Sequence, residues 1–256
     1  MAGKIISIVN QKGGVGKTTT CVNTAYALSQ TGRRVLLCDF DPQGNATSGM
    51  GLSKRTVPGS YDAVIRLDNP AAAVHKSPYC DIMPAGKALA GAEIELGLLP
   101  QREYRLRDAL RKLAEGYDFI LIDCPPSLGL LTLNGLCASD SFIVPVQCEY
   151  YALEGLSDLL HTVRTVKQGG LNDSLELEGV LLTMYDARLN LSLQVAEEVK
   201  RHFPGKVYKS VIPRNVRLSE APSHGMPVQV YDRSSRGADS YDALALEIIK
   251  RNGEVR

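Results

Sequence analysis

Residues 5–19 read Ile5-Ile6-Ser7-Ile8-Val9-Asn10-Gln11-Lys12-Gly13-Gly14-Val15-Gly16-Lys17-Thr18-Thr19, and this stretch decides the fold. Four β-branched apolar residues around Ser7, from Ile5 to Val9, predict a buried strand. A glycine-rich loop follows, and the pattern from about Gly16 through Gln30 predicts a helix that ends at Gly32. Strand, glycine loop and helix in that order are the context of a phosphate-binding loop. Gly13, Gly14 and Gly16 allow the backbone to turn with its amides inward, and the helix N-terminus favours an anion. Lys17 adds a point charge for the β- and γ-phosphates of a nucleotide, and Thr18 and Thr19 open the helix, with the Thr18 hydroxyl available to Mg²⁺.

Working outward, short apolar runs recur at Ile5 to Val9, Val35 to Cys38, Asp81 to Met83, Phe119 to Ile122, Ser141 to Val146 and Leu177 to Leu182. Continuous apolar strands separated by helical patterns predict a mostly parallel sheet covered on both faces. The expected fold class is therefore α/β, a doubly wound sheet with helices on both faces, whose ligand lies at the carboxyl ends of the strands. A length of 256 residues is compatible with one core, so a single domain spanning 1–256 is expected.

Two of these strands end in acid. Val35 to Cys38 runs into Asp39-Phe40-Asp41-Pro42-Gln43-Gly44, and Phe119 to Ile122 runs into Asp123-Cys124-Pro125-Pro126. An aspartate after a strand is a common turn former. Next to a phosphate-binding loop it can also hold Mg²⁺ through water and orient an attacking water, which is most of what phosphoryl transfer requires.

The loop departs from the common GxxxxGK[ST] pattern, because Gln11 stands at the first glycine and Lys12 follows it. In this it resembles the deviant Walker A class, KGGxGK[ST], which includes ParA, MinD, the nitrogenase iron protein and the arsenical-pump ATPase. Four further stretches are similar to Soj-type ParA partitioning ATPases: Asp41 to Thr47, Gly91 to Leu96, Cys124 to Gly129 and Pro145 to Ala152. A fifth runs from Ile212 to Ser223. The resemblance implies that Lys12 reaches across a homodimer to the partner's ATP and that Lys12 and Lys17 act in catalysis. It further implies that Asp41 positions the hydrolytic water, Asp39 supports it and the metal, and Asp123 is the Walker B aspartate. Together with Thr18, Asp39 and Asp123 form the expected metal set. The nucleotide contacts are then Lys12, Gly13, Gly14, Val15, Gly16, Lys17, Thr18 and Thr19, with Pro213, Arg214 and Asn215 near the adenine. Non-specific double-stranded DNA binding is implied for Arg188 and Arg217, and the implied protein partner is a ParB-like centromere-binding protein.

Composition sets bounds around that reading. Hydrophobic residues make up 44% of the chain and charged residues 22%, with a mean hydropathy of -0.08, values typical of globular proteins. No apolar run approaches the ~20 residues that span a bilayer, and Lys4 leads straight into the first strand without a secretory signal. A cytoplasmic, nucleoid-associated protein without stable membrane insertion is expected. The six cysteines, at 21, 38, 80, 124, 137 and 148, include no CxxC pair, so neither a zinc site nor a redox pair is indicated. Net charge is only +1, yet residues 200–256 carry 11 Lys and Arg against 6 Asp and Glu, a surplus suited to an anionic partner. The alternative is a MinD-like ATPase that cycles onto membranes through a basic amphipathic C-terminal helix. Residues 241–251 have an apolar face, but Asp242 and Glu247 interrupt it. An iron-sulfur role lacks a suitably placed partner for Cys124, and no helix-turn-helix precedes the loop to suggest a sequence-specific regulator.

Overall fold

In the computed structural model, residues 3–66, 69–149 and 152–253 are described. Tyr150 and Tyr151, within one of the stretches that carry the resemblance, lie outside the described residues, as do Met1, Ala2 and Glu254–Arg256 of the expected domain. The six apolar runs form the strands β1 (Lys4–Ile8), β2 (Val35–Asp39), β3 (Asp81–Met83), β4 (Phe119–Asp123), β5 (Ser141–Gln147) and β6 (Glu176–Thr183). They make one sheet in the order β3-β2-β4-β1-β5-β6, with every named pairing parallel. Both faces are covered, as continuous apolar strands require.

The two-residue period of each strand sorts its side chains between two cores. Val35, Leu37, Phe119, Leu121, Ile6 and Ile8 face α1 (Lys17–Gln30) and the C-terminal helix Arg236–Arg251. Leu36, Cys38, Ile120, Ile122 and Ile5 face the opposite layer, which includes the helices Ala88–Gly97, Arg105–Leu113 and Leu130–Ala138. The same layer contains the helices Ala152–Gln168 and Asn190–His202. Alternation carries on to the strand ends. Asp39 follows the parity of Val35 and Leu37, and Asp123 that of Phe119 and Leu121, so both carboxylates are assigned to the face that α1 covers. Since β1, which feeds the glycine loop, lies directly beside β4, the acids and the loop meet at one end of the sheet.

The C-terminal helix Arg236–Arg251 begins at Ser235, whose side chain accepts a hydrogen bond from the Ala238 amide, an N-cap that satisfies one orphan donor. Its Tyr241, Leu244, Ala245 and Ile248 are buried in the core shared with α1. Beyond β6, residues 206–214 run alongside that strand: Val180 donates to the Lys206 carbonyl at 2.9 Å, and Tyr185 to the Ile212 carbonyl at 3.0 Å. This brings Arg214 and the short helix Val216–Glu220 beside the turn that carries Arg188.

Candidate functional site

The loop between β1 and α1 owes its path to glycine. Gly14 and Gly16 have φ of 75° and 91°, the left-handed region that a side chain makes costly. No side chain caps the first turn of α1, so its amides are available to an anion. Thr183 at the end of β6 donates through Oγ1 to the Val15 carbonyl at 2.8 Å and anchors the loop from below. Lys17 is buried, and its Nζ donates to the Lys12 carbonyl at 2.9 Å. The side chain thus curls back over its own loop, where phosphate oxygens would take the carbonyl's place. Burial lowers its pKa, and the charge of Asp123 works against that fall.

Asp39 and Asp123 stand opposite one another in the β2–β4 register, about 4.8 Å apart across neighbouring strands. Asp39 is fully satisfied: Oδ2 accepts from the Thr47 amide and hydroxyl, both at 2.7 Å, and Oδ1 accepts from the Asp41 amide at 3.2 Å. Thr47 in turn accepts from the Ala85 amide at 2.8 Å. Asp123 is the opposite case. It is wholly buried, and no donor among the described residues meets its oxygens at full hydrogen-bond geometry; the Thr18 hydroxyl and the Cys21 thiol are the polar groups closest at hand. Burial, with the Asp39 carboxylate alongside, pushes the Asp123 carboxyl well above its ordinary range, and burial raises Asp39 as well. An ionised carboxylate with so few donors in a dry site is costly, and a neighbouring cation would offset that cost. Asp123 with the Thr18 hydroxyl and the Asp39 carboxylate beside it fits a divalent ion that keeps its waters and takes remaining ligands from phosphate. Among the described residues no three His, Cys, Asp or Glu side chains form a ready-made cage, and a phosphate-bound ion needs none.

Asp41 is also buried, close enough for its charge to act on both Lys17 and Asp123. Its Oδ1 accepts from the Gln43 amide at 2.9 Å, which fixes it at the mouth of the site. Along the helix side of the loop runs a cavity of about 390 Å³. Gly16, Thr19, Pro213, Arg214 and Asn215 all line it, joined by Met184 and Tyr241. Met184 has a φ of 50°, a strained setting for a side chain of that size.

The remaining expected residues lie elsewhere. Lys12 sits at the outer rim of the loop, its Nζ 3.0 Å from Glu149 Oε2. Gly13 is exposed, with nothing within 4 Å of where a Cβ would be. Arg188 grips Asp186 with Nε at 2.9 Å and Nη2 at 2.7 Å, holding that carboxyl down to about 2. Arg217 is paired with Glu220 at 2.9 Å and Asp232 at 3.0 Å. Neither arginine lines the cavity. Sequence reasoning gave no role to Thr47, Thr183, Glu149, Met184 or Tyr241. Thr47 and Glu149 stand in stretches that carry the resemblance and Thr183 closes an apolar run, but hydrophobic patterning says nothing about which polar group will meet a distant carboxylate or carbonyl.

A glycine loop at a helix N-terminus, a buried lysine, strand-end carboxylates and an adjoining base-sized cavity define a P-loop nucleotide-binding protein. A family model described as an AAA domain matches residues 3–177. The chain is 59% identical over 249 residues to the sporulation initiation inhibitor protein Soj of Bacillus subtilis, covering 96% of this chain and 98% of that protein. It is 55% identical over 253 residues to the chromosome partitioning protein ParA of Myxococcus xanthus, covering 98% and 89%. Among solved structures, cobyrinic acid a,c-diamide synthase from Mycobacterium smegmatis, with bound ATP analog and magnesium, matches with a TM-score of 0.86 at 37% identity. That match covers 99% of this chain and 97% of the other. The chain belongs to the Soj/ParA family of chromosome-partitioning ATPases.

Proposed function

We propose that this protein is an ATP-driven switch that dimerises on binding Mg-ATP, binds double-stranded DNA non-specifically as the dimer, and hydrolyses ATP slowly to reset. The observation that carries the reading is the buried Asp123 carboxylate, its charge within reach of Lys17 at the head of the glycine loop. In the ATP-loaded chain Lys17 exchanges the Lys12 carbonyl for the β- and γ-phosphates, and the amides at the head of α1 hold the phosphate oxygens. Thr18 and Asp123, with Asp39 behind, hold the metal side of the nucleotide. A magnesium ion held by these residues would supply charge stabilisation to the phosphates during transfer. Asp41 orients the attacking water, and Pro213, Arg214 and Asn215 bound the adenine. Lys12 crosses to the partner's nucleotide, and this makes closure of the dimer depend on ATP.

Arg188 and Arg217 of both subunits then contact DNA phosphates. Exposed ion pairs such as theirs are weak, so a phosphate can replace Asp186 or Glu220. The expected consequence is a cycle in the cytoplasm, in which ATP dimers coat the nucleoid and a ParB-like partner stimulates hydrolysis and releases them. Against the MinD-like alternative, the apolar side of the C-terminal helix is already occupied by α1. Fluorescence anisotropy on duplex DNA with ATP, ADP or no nucleotide, over a salt series, tests the reading. Tight, salt-sensitive binding with ATP alone is expected, and equal affinity with ATP and ADP would overturn it. Flotation of the same samples with anionic vesicles is expected to leave the protein behind.

A further inference from the structure

The stretch leading into the glycine loop is stitched by three side chains to β5, to the turn that follows it and to the helix Ala152–Gln168. Asn10 Nδ2 donates to the Pro145 carbonyl at 2.8 Å, Gln11 Nε2 to Asp158 Oδ2 at 2.7 Å, and Lys12 Nζ to Glu149 Oε2 at 3.0 Å. The Lys12 amide is held as well, donating to Asn10 Oδ1 at 2.9 Å. Glu149 is itself aimed. Its amide donates to the Gln147 carbonyl at 2.8 Å, and its other carboxylate oxygen, Oε1, accepts from Gln147 Nε2. The two oxygens of one carboxylate are thereby divided between a neighbour that orients it and the ammonium of Lys12.

We infer that Glu149 is a positioning residue that keeps Lys12 parked on its own subunit, so that closure of the ATP dimer requires this ion pair to break. The inference rests on the reading of Lys12 as the residue that crosses to the partner's nucleotide. Lys12 cannot reach a second subunit while its ammonium lies on Glu149, because the same side chain serves both contacts. Glu149 would then act against dimerisation in the free protein, and the segment it belongs to would sense whether Lys12 has left. The pair is half exposed, 35% for the lysine side chain and 50% for the glutamate, so its strength is that of a surface ion pair. Each such pair shifts an equilibrium by roughly 1.5- to 5-fold, and a symmetric dimer breaks two, which gives a combined effect of roughly 2- to 25-fold.

Sedimentation of wild type, Glu149→Gln, Lys12→Gln and the double variant, each with Mg²⁺ and a slowly hydrolysed ATP analogue, tests the inference. Glu149→Gln is expected to dimerise at roughly 2- to 25-fold lower protein concentration, with an unchanged melting temperature in the absence of nucleotide. Glu149→Asp, which keeps the charge, is expected to fall between it and the wild type. In the Lys12→Gln background the Glu149 substitution is expected to leave the residual dimerisation unchanged, whereas the Glu149→Asp variant, which keeps the ion pair, separates parking from a merely structural role. Dimerisation by Glu149→Gln that equals or falls below wild type, while Lys12→Gln is defective, would overturn the parking role alone. A Lys12→Gln protein that dimerises normally would instead strike the crossing role of Lys12, and this inference with it.

Discussion

The acid pair at the ends of β2 and β4 and the arginine rim formed by residues 188 and 217 are two charged regions held by opposite means. Asp39 and Asp123 are buried and rigidly placed by strand register, with Asp123 poorly served by donors. Arg188 and Arg217 are exposed and neutralised by carboxylates of their own chain. In the first region an unmet charge is stored by the fold, so small changes there have large consequences. The second stores nothing, since water and salt screen each ion pair, and its effect has to come from number. Substitutions in the two regions are therefore expected to differ both in size and in their response to salt.

The largest effect is expected from Lys17→Ala. Removing a buried ammonium that makes charge-assisted hydrogen bonds worth about 1.5–3 kcal/mol each should weaken ATP binding by roughly two orders of magnitude or more. Isothermal titration measures it, and wild-type affinity would dissolve the phosphate assignment. Next comes Asp41→Ala, which should still bind Mg-ATP while hydrolysis falls by roughly 10²- to 10⁴-fold, the usual worth of a group that handles the attacking water's proton. Size exclusion with ATP should show a dimer that persists. Gly13→Val should behave in reverse. Space around the Cβ and an ordinary φ let the chain accept valine, so nucleotide binding should survive while light scattering with ATP shows the dimer reduced or absent.

Asp123→Asn probes the stored charge itself. The folded carboxyl titrates well above its ordinary range, whereas in the unfolded chain it titrates near about 3.9. Between those two values the folded state holds a proton that the unfolded state has released. The wild-type site therefore lowers stability progressively as pH rises from about 4, and the full penalty is present above the folded pKa. Asn carries no such penalty. Without nucleotide, Asp123→Asn should be the more stable protein at pH 8, by about 1–3 kcal/mol, with the difference shrinking on acidification toward pH 4. Urea titrations at several pH values measure this. A variant equally unstable at every pH would show that Asp123 is satisfied in the folded chain.

How much of this was legible in sequence follows the same division. The strands were readable because each is buried on both faces, which leaves an uninterrupted apolar run such as Phe119 to Ile122. The glycine loop was readable because the left-handed turns at Gly14 and Gly16 demand that residue. The encounter of Asp39 with Asp123 was legible only as something the family resemblance implies. They are far apart in sequence and meet only through strand order, which local patterning does not specify. Thr47 and Thr183 escaped for a related reason, since a threonine near a strand end has many possible acceptors. The pairing of Arg188 with Asp186 was within reach, because an aspartate two residues before an arginine in a turn can bond both its amide and its guanidinium, as it does here.

That local pair supplies the smallest expected effect and the sharpest test of the rim. If Arg188 serves DNA, Asp186 competes with phosphate for the same guanidinium. Asp186→Asn should then raise DNA affinity a few-fold in the ATP state, the scale on which exposed ion pairs act. Replacing Arg188 and Arg217 together should lower affinity on every sequence alike, since phosphate contacts carry no base information. The two changes should also differ in their salt dependence. Every phosphate that an arginine no longer neutralises flattens the log-log slope by roughly 0.9, so the double-arginine variant should bind with a shallower slope, whereas Asp186→Asn should keep or steepen it. Anisotropy with the slowly hydrolysing Asp41→Ala protein as background separates these effects from ATP turnover. ATP-driven dimerisation should be untouched in both variants, because neither arginine lines the nucleotide cavity. An unchanged slope in the double variant would remove these arginines from the DNA surface. Attention would then move to Lys200, Lys206 and Lys209, exposed cations within the same C-terminal surplus of positive charge.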